Sequence, residues 1–128
     1  MKVTKISAVT LLVSDMNKSV DFYSRITNFK IVYGGTDNEF TSFLIYDTAK
    51  SYLNLKLYKT HSTDFGRIIF YTDDVDELFA YMQDDKTISG LGKLESKPLD
   101  ASWGERFFHL LDPDGYKLSF ATPISNNV

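Results

Sequence analysis

The sequence predicts an α+β fold in which one βαβββ arrangement occurs twice, and three observations support this. A strand-like apolar run followed by an aspartate-capped amphipathic helix occurs near the N-terminus, and the same order returns after Gly66. Shifting the sequence by 59 positions places Asp15 on Asp74 and Val20 on Phe79. Each helix is then followed by three further strand-like stretches, so we expect two modules of the same topology.

The first module, about residues 1–60, opens with the apolar run Ile6–Val13, which is long enough for a buried strand. Asp15 then precedes a helix whose apolar residues recur at helical spacing. Three strands follow, and the last of them alternates leucines with polar residues. The apolar helix positions are Met16, Val20, Tyr23 and Ile26, and the three strands are Phe29–Tyr33, Phe40–Tyr46 and Tyr52–Tyr58.

The second module, about residues 65–123, follows a polar connector and repeats this order. Arg67–Thr72 is predicted as a strand, and Asp74 with Glu77 forms a capping box at the start of a helix. The next stretch, Gly90–Leu99, is only weakly strand-like because it contains two glycines. The connector is His61–Phe65, the apolar helix positions are Val75, Leu78, Phe79 and Met82, and the last two strands are Phe107–Leu111 and Tyr116–Ala121.

The sequence DPDG at residues 112–115 predicts a hairpin turn between the last two strands. Its proline presets φ and its glycine accepts a positive φ, so we interpret both aspartates as turn formers. If Asp112 pairs with Tyr116, then His109 pairs with Ser119. Side-chain alternation then places Phe108, Leu110, Leu118 and Phe120 beneath the helix, and Phe107, His109, Leu111 and Ser119 on the opposite face.

Length, charge and composition exclude several classes of protein. The 128 residues suit a single domain. A net charge of −3 offers no basic patch for nucleic acid. The chain has no cysteine, which excludes disulfides and thiolate chemistry and fits a cytoplasmic protein. The apolar run near the N-terminus is too short for a membrane span, so no membrane partner is expected.

Three stretches carry a resemblance to a known family: VSDMNKSVDFYSRITNF, GRIIFYTDDVDEL and WGERFFHLLDPDGYKLSF. In this order and at this spacing they resemble the vicinal oxygen chelate superfamily, which contains glyoxalase I, extradiol dioxygenases, and fosfomycin and bleomycin resistance proteins. The resemblance implies one domain over residues 1–128, with each module a curved four-stranded mixed sheet and one helix. It also implies a funnel-shaped cleft formed by the two modules, and a homodimer.

The resemblance further implies where metal-dependent members would carry their ligands. Aligned residue by residue, the four positions hold Ala8, Asn54, Arg67 and Ser119. Alanine cannot bind a cation, asparagine and serine bind one weakly, and the arginine places a positive charge where a dication would lie. The sequence therefore predicts no metal and no other cofactor, and it is most similar to the metal-free, bleomycin-resistance-like members.

The alternation of the strands predicts which side chains face the cleft. Arg67 could bind a carboxylate or phosphonate, or could pair with Glu105. His109 could act on a ligand or could be a hydrogen-bonded residue of the sheet. Trp103 could close over the ligand or could pack a loop. The predicted ligand-binding residues are Arg67, Asn54, Ser119, Tyr71, Phe107, Trp103, Tyr58, Lys56 and Thr10, with His109 as the candidate catalytic residue.

These residues support three hypotheses for function. The first is a metal-free protein that binds, and so sequesters, a small organic molecule with a planar part and an acceptor or anionic group. The second is a metal-independent lyase or isomerase that uses His109 as a general base and Arg67 to stabilise an enolate or carboxylate. The third is a metal-dependent glyoxalase or dioxygenase with atypical ligands. The first is favoured because no third residue in the sequence is evident that would orient His109.

Overall fold

The computed structural model describes residues 1–45, 50–59 and 62–124. The chain forms two compact units, Met1–His61 and Ser62–Val128. Each unit holds one mixed sheet with helical structure beside it, so the predicted α+β class is confirmed. Within the described residues, none of the helices has the length and apolar character that crossing a membrane requires.

The first unit contains five elements. Its sheet has the order β1-β4-β3-β2, with β1 parallel to β4 and the other neighbours antiparallel. The element bounds are β1 Ala8–Val13, α1 Met16–Ser24, β2 Phe29–Tyr33, β3 Phe40–Ile45 and β4 Ser51–Leu57.

The second unit repeats this topology with two additions, a second short helix and a divided edge strand. Its sheet has the order β5-β9-β8-β6, with β5 parallel to β9, and β7 pairs with β8. The element bounds are β5 Arg67–Tyr71, α2 Val75–Asp84, α3 Lys86–Leu91, β6 Lys93–Leu94, β7 Leu99–Asp100, β8 Glu105–Leu111 and β9 Lys117–Pro123.

The core of the first unit forms between α1 and one face of its sheet. The Asp15 side chain accepts a hydrogen bond from the Lys18 N–H at 3.1 Å, which caps the helix as predicted. Tyr23 is fully buried, and its ring lies 5.0 Å from that of Phe22 and 6.1 Å from that of Phe43. The predicted apolar helix positions Met16, Val20, Tyr23 and Ile26 are all buried.

The core of the second unit forms in the same way beneath α2. Asp74 accepts a hydrogen bond from the Glu77 N–H at 3.0 Å. The reciprocal half of the predicted capping box is replaced, because the Asp74 N–H donates to Thr72 Oγ1 at 3.4 Å. Phe79 of the helix packs edge-on against Phe108 of the sheet, with ring centroids 5.2 Å apart. The four hairpin residues predicted beneath the helix, Phe108, Leu110, Leu118 and Phe120, are all buried.

The strand predicted at Gly90–Leu99 is confirmed only in part, because its first two residues belong to a helix and only short strand segments follow. The Asp85 side chain accepts hydrogen bonds from the N–H groups of Thr87 and Ile88, and this cap begins α3. Ile88 is buried, so the helix is held by a packing contact that the glycine-rich sequence did not suggest. Strand structure remains only in the two-residue segments β6 and β7.

Other predictions differ from the structure at element ends: the strands predicted at 52–58, 107–111 and 116–121 are β4 at Ser51–Leu57, β8 at Glu105–Leu111 and β9 at Lys117–Pro123. β1 begins at Ala8, so that Ile6 lies outside the sheet and is exposed. β5 ends at Tyr71, one residue before its predicted end. Leu57, at the end of β4, shares a face with the buried leucines but is itself 40% exposed. Tyr46 and His61 lie outside the described residues.

The predicted hairpin turn and its register are confirmed. The Asp112 side chain is buried and accepts hydrogen bonds from the N–H groups of Asp114 and Tyr116, each at 2.9 Å. The Gly115 N–H donates to the Asp112 carbonyl, and Gly115 has a φ of 92°. The turn therefore sets the pairing of His109 with Ser119 across β8 and β9.

Candidate functional site

The sheet face of the second unit that lies away from α2 carries most of the predicted site residues, and we call it the open face. Because side chains alternate along a strand, the neighbours of Phe108 on β8 and of Leu118 on β9 project from the open face. The open face carries Arg67, Ile69 and Tyr71 from β5, Ser119 from β9, and Phe107 and His109 from β8.

A chain of hydrogen bonds joins three of these side chains. The Arg67 Nη1 group donates to the Leu118 carbonyl at 2.8 Å and to Ser119 Oγ at 3.2 Å. Ser119 Oγ lies 2.7 Å from Nδ1 of His109. Ser119 is 2% exposed, so its hydroxyl is available only to these two neighbours. The sequence predicted the pairing of His109 with Ser119, but Ser119 as the link to Arg67 was missed.

The direction of this chain follows from what each group can donate. A guanidinium has only donors, so Ser119 Oγ accepts from Arg67. Where Ser119 donates its hydrogen to Nδ1 of a neutral imidazole, the remaining ring hydrogen of His109 lies on Nε2; in the other tautomer, Nδ1–H donates to the second lone pair of Ser119 Oγ. In the first tautomer the second nitrogen of His109 offers a donor, and in the other it offers a lone pair.

The neutral form of His109 is also favoured electrostatically. Burial lowers the pKa of His109 below 6.5, and the positive charge of Arg67 lowers it further, whereas Glu95 acts weakly in the opposite direction. Near pH 7 the imidazole is thus uncharged. The guanidinium of Arg67 is the positive group in this chain of three.

The backbone of His109 is held by the segment between β6 and β7. The His109 N–H donates to Ser96 Oγ at 3.1 Å, and the His109 carbonyl accepts from the Glu95 N–H at 2.9 Å. Ser96 thus supplies an acceptor where the strand pairing is interrupted. No periodic pattern in the sequence marks Ser96 for this role.

An aromatic row runs along the open face beside the hydrogen-bonded chain. Trp103 stacks on Phe107 with ring centroids 5.9 Å apart and planes 22° apart. Phe107 in turn lies 4.8 Å from the ring of His109. Trp103 is 70% exposed, so its ring presents a large apolar surface to solvent.

Glu105 lies at the other end of the open face from Arg67. Glu105 pairs with Pro123 on β9 and Arg67 pairs with Lys117, so the sequence-based alternative of an Arg67–Glu105 pair is wrong. Glu105 accepts hydrogen bonds from the Tyr71 hydroxyl and, at 3.0 Å, from Trp103 Nε1. The bond from Tyr71 to the carboxylate also raises the pKa of Tyr71.

The remaining predicted residues belong to the first unit, on the corresponding face of its own sheet. Thr10 and Asn54 are register partners on β1 and β4, and Asn54 Nδ2 donates to Thr10 Oγ1 at 3.3 Å. Lys56 and Tyr58 are exposed, and Tyr58 lies just beyond the end of β4. For these four residues, and for those of the open face, ligand contact stays a prediction.

A cleft of about 300 Å³ lies elsewhere in the first unit, beside the start of α1. Its acidic residues include Asp15, which caps the helix, and Asp37, which exchanges hydrogen bonds with Asn17. These contacts serve the local fold.

The metal positions implied by the family do not fit a metal ion. Arg67 occupies one position with a fixed positive charge, and Ser119 at another accepts a hydrogen bond from it. Ala8 has no ligating atom, and the Asn54 amide is bonded to Thr10. Across residues 1–45, 50–59 and 62–124, no three histidine or carboxylate side chains are grouped so as to hold a metal.

Comparisons with solved structures agree with this fold. The chain is similar to a glyoxalase/bleomycin resistance protein/dioxygenase family enzyme from Burkholderia phytofirmans PsJN, with 18% identity, coverage of 94% of this chain and 100% of that chain, and a TM-score of 0.73. A bleomycin resistance determinant encoded on the transposon Tn5 is 22% identical, with 94% and 98% coverage and a TM-score of 0.71. The fosfomycin resistance protein FosX from Listeria monocytogenes is 18% identical, with 98% and 95% coverage and a TM-score of 0.71.

At these identities the structural likeness establishes the fold alone. No curated protein matches the sequence significantly. A family model matches residues 5–120, and the fold that it describes supports a protein that binds or modifies a small molecule. The chain therefore belongs to the Glyoxalase/Bleomycin resistance protein/Dioxygenase superfamily.

Proposed function

We propose that this protein binds a small organic molecule on the open face, without metal and without altering it. The ligand has a planar part, which stacks on the aromatic row of Trp103 and Phe107, and an anionic or acceptor group that Arg67 and His109 recognise. The single observation that carries the proposal is the hydrogen-bonded chain from Arg67 through Ser119 to His109.

This chain supports anion binding because Arg67 keeps unused donors at its end of the open face. The two hydrogen bonds of Arg67 use Nη1 only, and Nε and Nη2 donate to no described residue. In the tautomer in which Ser119 donates to Nδ1, the Nε2–H of a neutral His109 adds a further donor. Arg67 is held in place by the Leu118 carbonyl and Ser119, so its planar group is preorganised for a carboxylate or phosphonate.

The proposal is tested by calorimetric titration with 2-naphthoate, and with 2-naphthamide as a neutral analogue. Replacing Arg67→Ala should weaken naphthoate binding roughly tenfold to a hundredfold, because a charge-assisted hydrogen bond is lost. Arg67→Lys should recover only part of that loss, since lysine keeps the charge but not the planar pair of donors.

Lys86→Ala is the matched control for net charge, because Lys86 is exposed on α3 and lies outside the open face. It should leave naphthoate binding unchanged. Arg67→Ala should itself lower the free energy of unfolding by only about 1 kcal/mol, since one side-chain bond to a hydroxyl and one to a carbonyl are removed. Equal naphthoate affinity in wild type and Arg67→Ala would show that Arg67 has a structural role only.

The alternative of a metal-independent lyase or isomerase is less well supported. A general base needs an available lone pair, and Nε2 of His109 has one only in the tautomer whose Nδ1–H donates to Ser119. Its lowered pKa keeps it neutral but also makes it a weaker base. The third hypothesis, a metal-dependent reaction, lacks a fitting set of ligands among the residues that the structure describes.

We further propose that residues 1–128 form one domain, that this domain assembles as a homodimer, and that it acts in the cytoplasm. Support for a single domain comes from the family model, which spans both compact units. Light scattering on the purified protein distinguishes a dimer from a monomer of 14.6 kDa. The absence of cysteine supports a reducing compartment.

A further inference from the structure

We propose that the end of the open face marked by Glu105 binds an organic cation, so that the ligand carries a positive group opposite its anionic group. The residues concerned are Tyr71, Trp103, Glu105 and Phe107, which we call the aromatic–carboxylate cluster. The proposal rests on the proposed function, because it concerns the same face and the same ligand.

The Glu105 carboxylate is held by hydrogen bonds from two neighbours and still has unused acceptor sites. Oε1 accepts from Trp103 Nε1 at 3.0 Å and Oε2 accepts from the Tyr71 hydroxyl. An ionised carboxylate has about four acceptor sites, so two remain for a ligand. No described residue forms an ion pair with Glu105.

Arg106, which follows Glu105 in the sequence, forms ion pairs with other residues. Arg106 projects from the other side of β8, where it forms ion pairs at 3.0 Å with Asp76 of α2 and with Asp100. Its guanidinium therefore cannot neutralise Glu105 without breaking both pairs. The open face thus keeps a net negative charge at this end.

The rings of the cluster supply the second feature that a cation requires. Tyr71 and Trp103 are 66% and 70% exposed, although both are large aromatic residues that a fold would normally bury. Their hydrogen bonds to Glu105 fix their orientation, and Trp103 is further held by stacking on Phe107. Exposed, oriented aromatic faces beside a carboxylate are the chemistry that recognises ammonium groups.

The spacing of the two charged ends limits the size of the ligand. Arg67 and Glu105 pair with Lys117 and Pro123 of β9. Residues paired across the sheet form a row perpendicular to the strands. The Arg67 side chain reaches towards the row that contains Ser119. Glu105 contacts Tyr71, which lies in the row of Ala121. Two residues of strand separate these rows, a distance of about 7 Å. A single aromatic ring with a charged group at each end spans it.

The test uses 4-(trimethylammonio)benzoate, which carries both charges, and 4-tert-butylbenzoate, which has the same shape without the positive charge. Trp103 is the only tryptophan of the chain, so intrinsic fluorescence reports binding at the cluster, and calorimetry gives the affinities. The wild-type protein should bind the zwitterion roughly fivefold to tenfold more tightly than the tert-butyl analogue.

Glu105→Gln removes the charge and keeps the shape of the side chain. It should abolish the preference for the zwitterion and leave the affinity for 4-tert-butylbenzoate within about twofold. Glu77→Gln is the matched control, because Glu77 lies on α2, which packs on the opposite side of the sheet, and the change in net charge is the same. It should leave both affinities unchanged.

The two proposals fail in different ways. If wild type and Glu105→Gln bind the two probes equally, and Arg67→Ala still weakens both, the cation site is overturned and the proposed function stands. If neither probe nor naphthoate binds to the wild-type protein, both are overturned. If Glu77→Gln lowers zwitterion affinity as much as Glu105→Gln does, the effect is one of overall charge and the cluster has no specific role.

Discussion

The two units share a sheet topology, yet the faces of their sheets that lie away from the helix carry different chemistry. In the first unit the register partners Thr10 and Asn54 form a neutral hydrogen bond at 3.3 Å. In the second unit the corresponding partners are Ile69 and Ser119, and Ser119 links Arg67 to His109. The repeat therefore fixes where side chains point but not what those side chains do.

Buried hydroxyls show the same divergence. Thr41 on β3 and Ser119 on β9 are both essentially inaccessible to solvent. Thr41 Oγ1 accepts from the Gly35 N–H at 3.0 Å and lies 3.2 Å from the Gly35 carbonyl, so it closes a loop of the backbone. Ser119 instead joins two side chains of the open face. One hydroxyl serves the fold, and the other serves the candidate site.

The first test concerns the backbone loop that Thr41 closes in the first unit. Gly34→Ala, in that loop, should cause the largest loss of stability. A Cβ at Gly34 would lie 2.1 Å from the Phe40 carbonyl oxygen, and its φ of 74° is unfavourable for alanine. We expect the free energy of unfolding to fall by more than about 3 kcal/mol, measured by denaturant titration.

Gly104→Ala is the control in the second unit, because Gly104 also has a positive φ and directly precedes the strand β8. Its φ is 93°, but a Cβ there meets nothing within 4 Å. The loss should be limited to backbone strain, about 1–2 kcal/mol. Equal losses at Gly34 and Gly104 would contradict the close approach at Gly34.

A smaller difference is expected between the two buried hydroxyls. Thr41→Val should cost about 1–3 kcal/mol of unfolding free energy, because the Gly35 N–H is left buried without its acceptor. Ser119→Ala should cost about 1 kcal/mol or less, since Arg67 keeps the Leu118 carbonyl and the half-buried His109 can reach solvent. It should, however, weaken naphthoate binding, whereas Thr41→Val should not. A reversed ranking of the two losses would refute the division between fold and site.

The smallest effect concerns pH. Burial, and then the charge of Arg67, lower the pKa of His109 in the folded protein below its ordinary value of 6.5. The unfolded chain then binds more protons in the window between the two pKa values, so stability rises with pH through that window and is lost as pH falls. Arg67→Ala should raise the pKa of His109 towards 6.5 and flatten this dependence.

Proton NMR titration of the His109 ring measures this pKa directly. The chain has only one other histidine, His61, and His61→Gln removes the ambiguity of assignment. An unchanged His109 pKa in Arg67→Ala would mean that Arg67 does not act on the imidazole.

Much of the fold was predictable because local signals agreed with the tertiary structure. Asp15 and Asp74 mark helix starts by a mechanism that depends on a few neighbouring residues, and the DPDG turn sets its own register. The helix α3 was not predictable in this way. Its stability depends on the burial of Ile88, which outweighs the low helix propensity of Gly90.

The alternation of side chains along the strands predicted which residues lie on the candidate site, but not which of them bond to each other. Alternation identified the open-face residues, including Arg67, His109 and Ser119, from the turn and the strand pattern. The sequence could not predict which of these side chains bond to one another. Tyr71, Trp103 and Glu105 meet because of side-chain lengths and directions that no local sequence pattern encodes. The bond from His109 to Ser96 was missed for the same reason.

The parallel pairing of the first and last strands of each unit has a consequence for folding during synthesis. Thr10 and Asn54 are 44 positions apart along the chain, and Arg67 and Ser119 are 52 apart. Closing loops of this length before the contacts form costs entropy, so each sheet is expected to assemble slowly. The first sheet has all its strands once Leu57 has left the ribosome, while the second waits for β9. During that interval β5 lacks its partner, and its edge is open to pairing with other chains.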